Sequence, residues 1–281
     1  LARHVRAFLF SIAAVTACGS SAATPPGAAT PPERAAAAPR RERPRICAHR
    51  VASLDAPENT HAAFRRAWQL GAECVELDVR LSLDGAVVVF HDATTTRLGG
   101  GDRPVAAQTL AELRRLDVGA GEQIPLLAEV LAGAPPGATV FVELKSEVTT
   151  APAVAAVIRA ANVEARGAHV ALQGYDAASL AALAALVPGA PAYWDVDPPV
   201  VDGAPVSYPA ALADAMIAEA TTRGFAGLAL DVRGLDPALV ARVRAAGLEL
   251  DVWTLNDAAL IATWQAQPVR WIETDAPALA P

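Results

Sequence analysis

The chain has 281 residues, 53% hydrophobic and 19% charged, a globular composition with room for one large domain or two small ones. With 30 acidic against 23 basic side chains its formal charge is -7, which disfavours a nucleic-acid partner bound through clustered Lys and Arg. Three cysteines are too few to staple such a length, and no apolar run approaches the roughly 18 residues of a transmembrane helix.

In chain order, Arg3, His4 and Arg6 precede an apolar stretch from Ala7 to Ala17, the pattern of a secretory signal too short to span a bilayer. It ends Val15-Thr16-Ala17-Cys18-Gly19, which resembles a bacterial lipobox. That resemblance implies a signal peptide over 1–17 and a lipidated Cys18. An ordinary signal cut after Ala17 is the alternative. Residues 19–44 are rich in Ala, Pro and Ser without hydrophobic periodicity, so 18–44 is expected to be a lipidated cysteine followed by a linker. The domain proper is then 45–281.

From Arg45 onward, short β-rich runs alternate with helical spacings. Strands are expected at 45–49, 74–79, 139–144, 169–173, 191–195, 226–230, 248–254 and 270–274, with helices at 59–70, 152–162, 176–186, 208–222, 236–246 and 256–265. Eight such strands predict an α/β fold, a (β/α)8 TIM barrel; an open doubly wound sheet would want a Gly-rich phosphate turn after its first strand, and none is there. A further run, 87–91, follows the second strand after Asp84-Gly85 and predicts a β-hairpin extension. A two-residue turn would set His91 opposite Asp78.

Barrel chemistry sits at the C-terminal ends of strands. His49 and Arg50 fall there after the first strand, Glu76 and Asp78 on the second, Glu143 and Lys145 on the next parallel strand, and Trp253 near the end of the seventh. Residues two apart share a strand face, so Glu76, Asp78 and Glu143 can surround one hard cation, Ca²⁺ or Mg²⁺ rather than zinc. Lys145 is the only lysine among the 23 basic side chains, consistent with a site that needs a compact ammonium. His49 and His91 suit proton transfer near neutral pH. Trp253 is either a substrate platform or a core aromatic, and Asn59 or Thr60 is expected to cap the first helix. Cys47 and Cys74, two residues before His49 and Glu76, are expected to be buried free thiols rather than a disulfide.

Taken together, His49-Arg50, Ala56-Pro57-Glu58-Asn59-Thr60 with Ala63-Phe64, Glu76-Leu77-Asp78-Val79, Asp84-Gly85 and His91-Asp92 resemble the glycerophosphodiester phosphodiesterase family. The likeness continues through Thr109-Leu110-Ala111-Glu112-Leu113, Ile124-Pro125, Leu127, Glu143-Leu144-Lys145, Trp253-Thr254 with Asn256, and Thr274-Asp275 with Pro277. It implies metal-dependent hydrolysis of glycerophosphodiesters to glycerol 3-phosphate and an alcohol. His49 and His91 would be the acid/base pair, Glu76, Asp78 and Glu143 the ligands of one divalent cation, and Arg50 and Lys145 the phosphate holders.

The sequence departs from the family at Val51 and Leu54, where glycine is usual, and at Arg97-Leu98-Gly99, where an Arg-Thr-Thr stretch is usual. Valine resists positive φ, so the first loop is expected to be reshaped. A lysophospholipase D-like phosphodiesterase and a degenerate, non-catalytic envelope lipoprotein are the alternatives. The expected partners are a small glycerophosphodiester and a membrane reached through the lipid anchor; no nucleic acid or obligate protein partner is indicated. Localisation is expected to be the bacterial cell envelope, by export.

Overall fold

The structure, a computed structural model, describes residues 43–99, 101–145 and 148–280. The expected signal peptide, Cys18 and all but the end of the linker lie outside the described residues. The strands are β1 (Arg45–Ala48), β2 (Cys74–Leu81), β3 (Val87–Val89), β4 (Thr139–Leu144), β5 (His169–Gly174) and β6 (Ala192–Val196), then the short pair β7 (Val200–Val201) and β8 (Ala204–Pro205), then β9 (Gly227–Asp231), β10 (Glu249–Trp253) and β11 (Trp271–Thr274). Strands β1, β11, β10, β9, β6, β5, β4 and β2 pair in that order, all parallel, and β1 pairs with β2 to close the barrel. β3 lies antiparallel on β2. The expected barrel and its hairpin extension are both present.

The helices are α1 (His61–Gln69), α2 (Leu110–Leu113), α3 (Leu127–Ala132), α4 (Ala151–Ala161), α5 (Ala177–Leu186), α6 (Ala210–Arg223), α7 (Pro237–Ala245) and α8 (Ala258–Gln265). Their starts follow local chemistry. Thr60, Asp176, Asp236 and Asp257 each accept a backbone N–H of the first turn of α1, α5, α7 and α8. On each strand one parity faces the helices and builds the main core, as with Val75, Leu77 and Val79 on β2 and Val140 and Val142 on β4. The other parity fills the barrel. Cys47, Cys74, Phe141, Ala171, Tyr193, Ala229 and Trp271 pack together there, with Phe141 edge-on to Trp271 at 5.1 Å between centroids. Two residues further along these strands the inward side chains turn polar, so the barrel is plugged below and acidic above.

Two expectations need correction. Cys47 and Cys74 are joined by a disulfide, because they are direct register partners across β1 and β2 with Cα atoms 4.3 Å apart. The hairpin turn is also one residue longer than Asp84-Gly85. Val79 pairs with Val89 and Leu81 with Val87, Ser82 donates to the Ala86 carbonyl, and Gly85 at φ 79° takes the bulge position of a three-residue loop. Phe90, not His91, therefore lies opposite Asp78, whose carbonyl accepts its N–H at 2.9 Å.

Candidate active site

The polar inward residues converge at the C-terminal mouth. Glu76 and Asp78 are buried on β2 and Glu143 on β4, and one oxygen from each lies within 4.8 Å of the others. Register brings this about, since Asp78 pairs directly with Glu143. Lys145 is just past β4, its Nζ 2.6 Å from Glu143 and 3.2 Å from Asp78. Asn59, buried and at φ 58°, donates to Asp78 at 2.7 Å, so it orients a carboxylate while Thr60 alone caps α1. Asn59 is a site residue that its cap-like spacing concealed.

Valine resists positive φ, yet in the loop after β1 Arg50, Val51 and Ala52 all adopt it, at 43°, 67° and 61°. Val51 is fully buried in the core, so packing holds the strained backbone. The result places Arg50 within the site. Its backbone N–H donates to Glu76 Oε2 at 2.9 Å, and its guanidinium reaches His91 Nε2 at 2.9 Å and Glu58 at 3.5 Å. Arg97, in the segment that departs from the family, bonds Asp92 at 2.7 Å and Glu58 at 2.5 Å, which braces Arg50 from behind.

Both histidines stand on carboxylates. His49 Nδ1 lies 2.7 Å from Asp275, which also accepts from Ser53 and Asn256, while His49 Nε2 faces Glu76 at 4.0 Å. His91 Nδ1 lies 2.7 Å from Asp92, and its Nε2 accepts from Arg50. Because Arg50 can only donate, His91 carries its proton on Nδ1 in this arrangement. Burial lowers the His91 pKa; Asp78 and Asp92 oppose this, and Lys145 and Arg50 add to it. His91 past the end of β3 owes its position to these bonds rather than to strand pairing.

Electrostatically the mouth is an acidic cavity with too few cations. Burial drives the Glu76 carboxyl well up, reinforced by Asp78, Glu273 and Glu143. Glu143 is pushed to about 7 by burial and Asp78, against the pull of Lys145. Burial would raise Asp78 too, but Lys145, His91, Arg50 and Asn59 hold it down. Glu76 Oε1 is buried without a hydrogen-bond partner. Clustered buried oxygens that resist joint ionisation are the donor set of a hard divalent cation, so the residues fit the expected ligand role. Glu273 on β11 widens this set, since it groups with His49 and Glu76 within 4.8 Å. It is held by Gln173, which donates to Glu273 at 3.0 Å and to Asp195 at 2.9 Å. Glu273, Gln173 and Asp195 carry no motif signal of their own, although inward parity on β11, β5 and β6 would have found them. Trp253 tops the barrel plug and meets Tyr175 edge-on at 6.3 Å, so it is part of the interior and of the rim.

Comparison with known proteins identifies a family and a fold. Residues 49–279 match the glycerophosphoryl diester phosphodiesterase family. A glycerophosphodiester phosphodiesterase of Caldanaerobacter subterraneus is 49% identical over 92 residues, 30% of this chain and 38% of the relative's own length. A crystal structure of glycerophosphodiester phosphodiesterase from Agrobacterium tumefaciens superposes with a TM-score of 0.67 at 27% identity, over 84% of this chain and 98% of that one. A phosphodiesterase of Oleispira antarctica, solved with the product sn-glycerol-3-phosphate, gives a TM-score of 0.69 at 26% identity, over 84% and 94% of the two chains.

Proposed function

The chain belongs to the glycerophosphoryl diester phosphodiesterase family, and from that premise we propose that it hydrolyses glycerophosphodiesters to glycerol 3-phosphate and an alcohol. The observation that carries the reading is the pair of carboxylate-backed histidines flanking an oxygen-only cation cluster. Glu76, Asp78 and Glu143 would hold one divalent cation, Ca²⁺ or Mg²⁺, which when bound supplies positive charge against a phosphodiester that grows more negative in the transition state. Arg50 and Lys145 supply the rest of that charge from fixed positions.

The two histidines divide the proton transfers. His91, whose pKa burial lowers, is the base: once Arg50, which donates to Nε2 here, turns to the phosphate, Nε2 takes the proton of the attacking hydroxyl, either water or the substrate's glycerol 2-OH. His49, whose Nδ1–H rests on Asp275, turns Nε2 to the site and protonates the departing alkoxide. Asp275 stabilises the imidazolium form that this role requires.

The test is release of glycerol 3-phosphate from glycerophosphocholine and glycerophosphoethanolamine by the full chain, with Ca²⁺, with Mg²⁺ and with EDTA. Cation-dependent release is expected. A folded protein silent under all three conditions would instead favour the non-catalytic lipoprotein.

Export and anchoring through Cys18 belong to the same proposal. The basic-apolar-lipobox order supports them, as does a Cys47–Cys74 disulfide suited to an oxidising compartment. Cys18→Ala is expected to move the protein from the membrane fraction to the soluble fraction of a bacterial host; an unchanged distribution would end the anchor assignment.

A further inference from the structure

We propose that His49, Glu76 and Glu273 form a second cation site, suited to Zn²⁺ or a similar transition-metal dication, whose filling stops turnover. The effect on turnover rests on the phosphodiesterase reading; the binding does not. Three neighbouring strands bring the donors together. Cys47 on β1 pairs with Glu273 on β11 and with Cys74 on β2, and His49 and Glu76 follow those cysteines by two residues. One donor atom from each lies within 4.8 Å of the other two, and His49 Nε2 is 4.0 Å from Glu76 Oε2. Bonds of about 2.1 Å to a tetrahedral cation set its donors ~3.4 Å apart, so the three close by roughly 1 Å to hold it.

The group shares only Glu76 with the Glu76–Asp78–Glu143 cluster, and its chemistry differs. Lys145 makes ion pairs with Asp78 and Glu143, whereas among the described residues no Lys or Arg side chain lies within ion-pair distance of Glu76 or Glu273. An imidazole nitrogen in place of a third oxygen turns the preference from Ca²⁺ and Mg²⁺ toward Zn²⁺. Two further observations point to a cation. Asp275 holds His49 by Nδ1 at 2.7 Å, as outer carboxylates orient metal-bound histidines, which leaves the Nε2 lone pair facing Glu76. Glu76 is 1% exposed, yet its Oε1 meets no donor. A bare buried oxygen is costly, and a cation would satisfy it. Glu76 has an oxygen for each side, so both cations can be held together, ~3.5–4 Å apart as in two-metal sites. His49 Nε2 is also the atom that carries the proton for the departing alkoxide. Zn²⁺ bound there takes the place of that proton, and the leaving group loses its acid.

The experiment strips the full chain of metal, saturates it with Ca²⁺ or Mg²⁺ and titrates Zn²⁺ by calorimetry. Zn²⁺ is expected to bind without displacing the hard cation. Nitrogen NMR of the histidine rings should place it on Nε2 of one histidine, whose signal is lost in His49→Gln. Glu273→Gln should weaken Zn²⁺ about tenfold or more, since losing a ligand costs at least as much as losing an outer partner, and should leave Ca²⁺ affinity within about twofold. Glu143→Gln should do the reverse. With glycerophosphocholine as substrate, half-inhibition is expected at the Zn²⁺ concentration that half fills the site, and should move with the binding constant in Glu273→Gln.

Both variants weakening both cations alike would mean a single site and overturn the proposal. So would Zn²⁺ that displaces Ca²⁺ one for one. Zn²⁺ held on His49 with turnover unchanged or raised would overturn the shut-off. Zn²⁺ on His49 in a protein that hydrolyses no diester would keep the site and sink the phosphodiesterase reading. Hydrolysis with Ca²⁺ or Mg²⁺ in a protein that binds no Zn²⁺ would do the opposite.

Discussion

His49 and Asp275 lie 226 positions apart in sequence, yet their 2.7 Å bond decides what the histidine can do. Burial pushes the Asp275 carboxyl up, but bonds from His49, Ser53 and Asn256 overcome this and hold it at about 2. Unfolded, the same group titrates near 3.8. A depressed folded pKa contributes stability that is complete above the unfolded value and is lost as pH falls through the folded one. Asp275 is therefore expected to add on the order of 2 kcal/mol above about pH 4, lost between about pH 4 and 2. Asp275→Asn should flatten urea stability across that window. In the same variant kcat should fall about tenfold or more with little change in KM, because the asparagine cannot stabilise the imidazolium. An unaltered kcat would remove Asp275 from the mechanism.

At the scale of elements, the β2–β3 hairpin shows how one residue of loop length redirects a strand. The Asp84-Gly85 pair announces a turn, but Ser82 and Ala86 close it as a three-residue loop, so each partner on β3 shifts by one. Gly85 is the residue that permits it. At φ 79°, with no heavy atom within 4 Å of an added Cβ, Gly85→Ala would suffer only backbone strain. The expected loss is about 1 kcal/mol of stability by urea denaturation, with activity kept. A loss of activity at unchanged stability would mean that the turn acts on the site directly. The β1 loop shows the reverse case, in which Val51 keeps a positive φ because its side chain is buried.

At the scale of the whole molecule, the barrel is closed by a seam of only two register pairs, as short as that between β10 and β11. β1 meets β2 only through Cys47 with Cys74 and Ala48 with Val75, and the disulfide crosslinks the first of those pairs. It ties residues 27 apart, for which loop-closure entropy amounts to about 3.5 kcal/mol. Replacing both cysteines by alanine is expected to lower urea stability by about that amount. A change below about 1 kcal/mol would show that the plug of Phe141, Tyr193 and Trp271 holds the seam unaided.

Hydrophobic periodicity and strand-end motifs by themselves determined the barrel, its hairpin and the identities of His49, His91, Arg50, Glu76, Asp78, Glu143 and Lys145 as site candidates, because both are local signals. Local signals end where pairing between distant segments begins. Asn59 on Asp78, Asp275 under His49, the Gln173–Asp195–Glu273 layer, the Cys47–Cys74 bond and the hairpin register were decided only by the tertiary structure. The hairpin register follows from the length of its loop, and the others depend on which residues barrel closure brings together. Strand parity gives a residue's face, but only the register between strands gives its neighbours.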